Sequence, residues 1–174
     1  MRKTILTYGL ISGLITAVLM VASSIYYKKT SSFEFGEVIG YTSIFLSMLF
    51  VFLGVKAFRD KLQDGSITFG KAFQVGIMIT IISCLIYVIT WLILYETLMS
   101  DFMEKYASEM LSKMQASGAT AEKIAEETEK MEYYKEMYKN PLYRFLFTFI
   151  EPFPVGLLVT LISAAVLRTK TSEA

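Results

Sequence analysis

No charged side chain stands between Lys3 and Lys28, between Glu37 and Lys56, or between Lys71 and Glu96. A fourth stretch, from Arg144 to Arg168, encloses a single charge, Glu151. Each is close to the roughly 20 residues an α-helix needs to cross a bilayer core. Together they make up about half of the chain. A hydrophobic content of 54% and a mean hydropathy of +0.49 exceed what one small soluble core can bury, so much of this surface must face lipid. The expected fold is an all-α membrane protein, a single membrane domain with four transmembrane helices at about 4–27, 37–56, 72–96 and 143–168.

Arg2 and Lys3, an apolar run, and the small residues Ala22, Ser23 and Ser24 have the outline of a secretory signal. The run from Ile5 to Tyr27 is longer than a signal core, however, and Tyr26, Tyr27, Lys28 and Lys29 close it as an interfacial anchor. An uncleaved first helix is therefore expected.

Four crossings place residues 1–3, 56–71 and 168–174 on one side. Arg2, Lys3, Lys56, Arg59, Lys61, Lys71, Arg168 and Lys170 fall there, against only Asp60, Asp64 and Glu173 as acids. On the other side, residues 28–37 and 96–144, acids outnumber bases, and most of them lie in 96–144. Short basic loops resist translocation, so both termini are expected in the cytoplasm and the 96–144 loop outside it.

The long loop has its own periodicity. Met99, Phe102, Met103, Tyr106, Met110, Leu111 and Met114 recur at three- and four-residue steps, which predicts an amphipathic helix continuing upward from the third span. Ser117 and Gly118 interrupt it, Thr120 offers an N-cap, and a second helix follows with Ile124, Thr128, Met131, Tyr134 and Tyr138 on one stripe. Asn140-Pro141 ends it. The predicted product is an extracytoplasmic helical hairpin over 99–140. Its two stripes either pack on each other or leave Met103, Tyr106, Met110, Met114, Met131 and Tyr138 as an adaptable face for a partner or a second copy.

Composition excludes most enzyme chemistry. Without histidine there is no histidine general base, no Ser-His-Asp triad and no histidine-ligated metal. The single cysteine, Cys84, excludes an intramolecular disulfide and a thiolate cluster, and reads as a small packing residue. No enzyme activity and no cofactor or metal are expected. Gly65 to Lys71 fits a phosphate-loop spacing, but Ala72 stands where Ser or Thr must hold magnesium and no strand precedes it, so no nucleotide is expected. A net charge of +1 implies no nucleic acid partner.

Within lipid, helices associate through small residues and side-chain hydrogen bonds. Gly9, Gly13 and Ala17 mark the first helix, and Gly36, Gly40, Ser43, Ser47 and Gly54 the second. Gly76, Thr80, Ser83, Tyr87 and Thr90 mark the third, and Gly156, Thr160 and Ser163 the fourth. Glu151 is the exception to this apolar economy, because a carboxylate in hydrocarbon must be neutralised, paired or reached by water. Pro152 and Pro154 remove backbone donors beside it, so a kink or new helix start is expected there. Glu151 either caps that new start or handles a proton or cation.

Several segments carry a resemblance: Tyr8-Gly9-Leu10, Phe35-Gly36-Glu37-Val38-Ile39-Gly40-Tyr41, Phe58-Arg59-Asp60-Lys61, Ile67-Thr68-Phe69-Gly70-Lys71-Ala72-Phe73 and Glu151-Pro152-Phe153-Pro154-Val155-Gly156. Over nearly the whole chain these resemble the bacterial membrane proteins catalogued as domain of unknown function 4199 (DUF4199). The resemblance implies a small integral membrane protein with the same four-helix layout, and it transfers no activity. Two functions are compatible with the residues. One is a non-enzymatic inner-membrane protein that assembles with itself or with another membrane protein; the other is a small proton- or cation-linked transporter or channel built on Glu151, with Thr80, Ser83, Tyr87 and Thr160 along its path.

Overall fold

The computed structural model describes residues 1–30 and 36–169, and the described residues are all-helical. In chain order the helices are α1 (Arg2–Thr30), α2 (Gly36–Leu62), α3 (Phe69–Thr97), α4 (Phe102–Ala116), α5 (Ala121–Lys139), α6 (Pro141–Ile150) and α7 (Phe153–Leu167). Four helical stretches are long and apolar enough to cross a membrane: α1, α2, α3, and α6 with α7 taken together. By the length and composition of these helices the chain is a multi-pass membrane protein. Leu14, Val18, Phe45, Ile93, Ile162 and Val166 are among the large apolar residues left exposed on the spans, as a lipid-facing surface requires.

Local chemistry sets the ends. Asp64 and Gly65 take positive φ after α2, a reversal that glycine makes without a Cβ clash. Thr68 then caps α3, its hydroxyl accepting from the Lys71 amide at 3.3 Å. Gly118, also at positive φ, ends α4, and Thr120 caps α5 by accepting from the Lys123 amide at 3.4 Å. Asn140 accepts from the Leu142 amide at 2.9 Å and Pro141 opens α6, where a missing amide hydrogen costs nothing.

α3 is the hub, packed on α1, α2, α6 and α7. Its seams depend on glycines. A Cβ added at Gly9 would come within 2.8 Å of Ile82, and one at Gly13 within 2.5 Å of Ile86, so α3 fills the GxxxG face of α1. Gly54 of α2 receives Tyr8 and Ile79 in the same way. Between α3 and α7 the fit is reciprocal: Gly76 admits Thr160, Gly156 admits Thr80, and the two threonine hydroxyls meet at 3.0 Å. Ser12 ties three helices by donating to the Ser47 carbonyl at 2.9 Å and meeting the Ser83 hydroxyl at 2.9 Å. No buried side-chain polar atom among the described residues lacks a partner, so these hydroxyls act as interhelical glue without stranding a donor in lipid. Cys84 is fully buried in this core.

At one end of the bundle the segment after α7 is tied to the turn before α3: Thr169 donates its amide to the Ile67 carbonyl at 2.9 Å and accepts the Ile67 amide on its hydroxyl at 3.0 Å. The opposite end carries α4 and α5, which pack on each other, with α5 also against α6. Here α4 does not continue α3 upward. The chain turns at 98–101 so that Phe102 lies edge-to-face on Trp91 of α3, with ring centroids 4.9 Å apart. Burying an aromatic ring against the bundle outweighs the local propensity to extend the helix.

Candidate functional site

Where α4 and α5 dock, the spans part around a cavity of about 390 Å³. Ser23, Tyr26 and Tyr27 of α1, Ile39, Gly40, Tyr41 and Ser43 of α2, Tyr87 and Trp91 of α3, Phe102 and Tyr106 of α4, Tyr138 of α5, and Phe147, Thr148 and Glu151 of α6 and its end contribute to its wall. Among the described residues, nine of those lining it are aromatic and Glu151 is the only charged one.

Glu151 sits at the α6–α7 junction with helical dihedrals, φ −69° and ψ −57°. It does not cap α7, whose N-cap is Pro152, without a side-chain cap bond. Because the chain keeps its helical course through the junction, the carboxylate points sideways off the helix. It meets α3, where the Tyr87 hydroxyl donates to Glu151 Oε2 at 2.8 Å. Tyr87 lies ten residues inside the end of α3, about 15 Å along the axis, so the carboxylate meets α3 well inside that helix's end. Pro152 is fully buried and Pro154 exposed; between them they withdraw two amide donors from the span, which separates α6 from α7. Glu151 makes no ion pair among the described residues, and more than a third of its surface stays accessible because it lines the cavity.

A second polar cluster closes the rim. Trp91 donates its indole N–H to the Tyr138 hydroxyl at 2.5 Å. Burial raises the Tyr138 phenol above its ordinary pKa, so it stays protonated at neutral pH. Arg144, 5% exposed, stacks its guanidinium 3.9 Å from the Tyr95 ring centroid and donates to the Tyr138 carbonyl at 3.2 Å and to Glu96 Oε1 at 2.5 Å. It joins the end of α3 to the end of α5 and does not line the cavity.

The residues singled out from sequence are divided by the structure. Gly9, Gly13, Gly76 and Gly156 stand at close helix contacts; Gly36 opens α2 with its surroundings outside the described residues. Gly40 is not a packing glycine: a Cβ there meets nothing within 4 Å, and the residue lines the cavity. Gly40→Ala is therefore expected to be neutral or to stabilise by about 0.5–1 kcal/mol, since glycine inside a helix costs backbone entropy. A melting temperature lowered by several degrees in that variant would contradict the open space described. Of the residues expected on a partner face, Met131 is buried and Met103, Met110 and Met114 are half-buried on the mutually packed α4 and α5, while Tyr106 and Tyr138 line the cavity. Tyr133 is the large apolar residue of α4 and α5 that stands most exposed.

Trp91 and the Arg144–Glu96 pair were not singled out from the sequence. A signal existed for both. Tyr87, Trp91 and Tyr95 recur every four residues in an otherwise aliphatic helix, and Glu96 and Arg144 are opposite charges ending two spans on the same side.

These features define a four-span, all-helical membrane protein with a carboxylate-floored aromatic cavity at one end of its bundle. The family described as "Protein of unknown function (DUF4199)" matches residues 7–169, nearly the whole chain, and the chain belongs to that family. Comparison with curated proteins and with solved structures returns no match.

Proposed function

We propose that this protein binds a small amphipathic molecule in the Glu151 cavity, as a non-enzymatic carrier or sensor of the bacterial inner membrane. The observation that carries the reading is a concave, aromatic-lined space of about 390 Å³ with one polar floor, the Glu151–Tyr87 pair. Ligand sites have this character: mostly apolar walls, few polar groups that fix orientation, and a volume of roughly 300–1,000 Å³. Both termini lie in the cytoplasm, so α4 and α5 form an extracytoplasmic hairpin and the cavity sits toward the outer face.

Assembly with a second copy is the weaker reading, because the features that favoured it are used inside one molecule. The GxxxG face of α1 is filled by Ile82 and Ile86, and the methionine stripe lies within the packed α4 and α5.

The chain has a single tryptophan, Trp91, and it lines the cavity, so its emission reports occupancy. Purified protein in dodecyl maltoside is to be titrated with cationic, anionic and neutral amphipathic compounds. At least one is expected to change Trp91 emission saturably, and Gly40→Phe, which projects a ring into the open space at Gly40, is expected to abolish that change while the protein stays folded. Flat titrations with all three classes would remove the ligand-site reading.

A further inference from the structure

The chemistry of the occupant follows from the cavity's charge, an inference that rests on the ligand-site reading above. We propose that the cavity selects a lipophilic organic monocation, whose positive centre pairs with the Glu151 carboxylate while its apolar body lies against the aromatic wall.

Three observations carry this. First, among the described residues Glu151 is the only charged side chain lining the cavity, and no basic residue lines it. A carboxylate there without a counter-charge is costly, and a bound cation supplies the missing charge. Secondly, the nearby cations are already committed: Lys105, over the Tyr27 ring, pairs with Asp101 at 2.6 Å. Arg144 is held by Glu96, the Tyr138 carbonyl and the Tyr95 ring, and cannot turn to Glu151 without abandoning all three. Thirdly, the walls are aromatic, and aromatic faces attract cations as well as apolar bodies, more strongly where water is excluded. The same arrangement disfavours the alternatives. A divalent metal wants several hard oxygen ligands, and no group of three or more His, Cys, Asp or Glu able to hold a metal exists among the described residues. An anion would meet the carboxylate with no basic group to offset it. A neutral hydrocarbon would leave the carboxylate unpaired.

The test uses two ions of nearly the same size and shape but opposite sign, tetraphenylphosphonium and tetraphenylborate, against the full-length protein in uncharged dodecyl maltoside, with Trp91 emission as readout. Saturable binding is expected for tetraphenylphosphonium and none for tetraphenylborate. Glu151→Gln is expected to weaken tetraphenylphosphonium roughly tenfold or more, the factor set by losing a charge-assisted contact. Equal binding of the two ions by the unmodified protein would overturn the proposal, and that comparison needs no variant to fold. So would a folded Glu151→Gln that binds tetraphenylphosphonium as well as the parent. Saturable binding of the anion or a neutral compound, blocked by Gly40→Phe, would sink the cation proposal and leave the ligand site standing. Absence of saturable binding by every compound would remove both.

Discussion

Gly156→Leu is expected to leave no stable bundle. A Cβ at Gly156 collides with the Thr80 methyl and lies 3.1 Å from Met48 Sδ, and both neighbours are fully buried. Neither can swing away cheaply, because Thr80 is held by the Thr160 hydroxyl at 3.0 Å and by the Gly156 carbonyl at 3.3 Å. Overpacking in a tight core costs about 1–3 kcal/mol, and more when the obstacle is a hydrogen-bonded side chain. Leucine would force α7 off α3, opening the seam that also joins Gly76 to Thr160. Against a total stability of roughly 5–15 kcal/mol this is a large share. Gly156→Ala is expected to fold with a clearly lowered melting temperature, and Gly156→Leu to aggregate or fail to purify as a single species. Size-exclusion profiles and thermal melts in dodecyl maltoside read both. Gly40→Leu is the internal control, since the same change in side chain there enters open space. A Gly156→Leu protein melting with the parent would show that the α3–α7 seam is not the close contact described.

The second large effect is expected from Arg144→Met. Its contacts have unequal weight. Glu96 keeps 69% of its side chain exposed, and a pair with one solvated partner contributes little, about 0–1 kcal/mol. The buried contacts contribute more: the stack on Tyr95 about 0.5–2 kcal/mol, and the bond to the Tyr138 carbonyl, whose removal costs about 1–3 kcal/mol. Glu96→Gln is therefore expected to be mild. Arg144→Met is expected to free the end of α5 and raise hydrogen exchange across α4 and α5, with much less change in α1 to α3. Arg144→Lys is expected not to restore protection, since an ammonium cannot stack and fork as a guanidinium does. Unchanged exchange of α5 in Arg144→Met would mean that ring packing alone docks the pair. Because Tyr138 and Phe102 line the cavity, its rim is expected to loosen in the same variant, visible as a shift in Trp91 emission.

The spans were legible in the sequence because the constraint behind them is one-dimensional. A helix in lipid needs an uninterrupted apolar run of sufficient length, and that can be counted. The caps at Thr68, Thr120 and Asn140 and the turns at Gly65 and Gly118 are equally local, each arising from a side chain or dihedral within a few residues. The small residues at Gly9, Gly13, Gly76 and Gly156 were legible as possible contacts, since only small residues let helix axes approach. Which of them were used was not. Gly40 stands in an apolar run as the packing glycines do, and only the packed helices show that its face opens on a cavity.

The same division runs through the site. Sequence alone determined that one carboxylate lies within the fourth span beside two prolines, that the chain has no histidine and one cysteine, and that an amphipathic helix pair separates the last two spans. Tertiary structure decided that Glu151 faces Tyr87 and not the start of α7, that Phe102 folds back onto Trp91, and that Arg144 is spent on Tyr95, Tyr138 and Glu96. The physical reason is reach. A run, a cap or a turn depends on residues a few positions apart, whereas Tyr87 lies 64 residues from Glu151 and Glu96 lies 48 residues from Arg144, and these pairs meet only once the helices have packed.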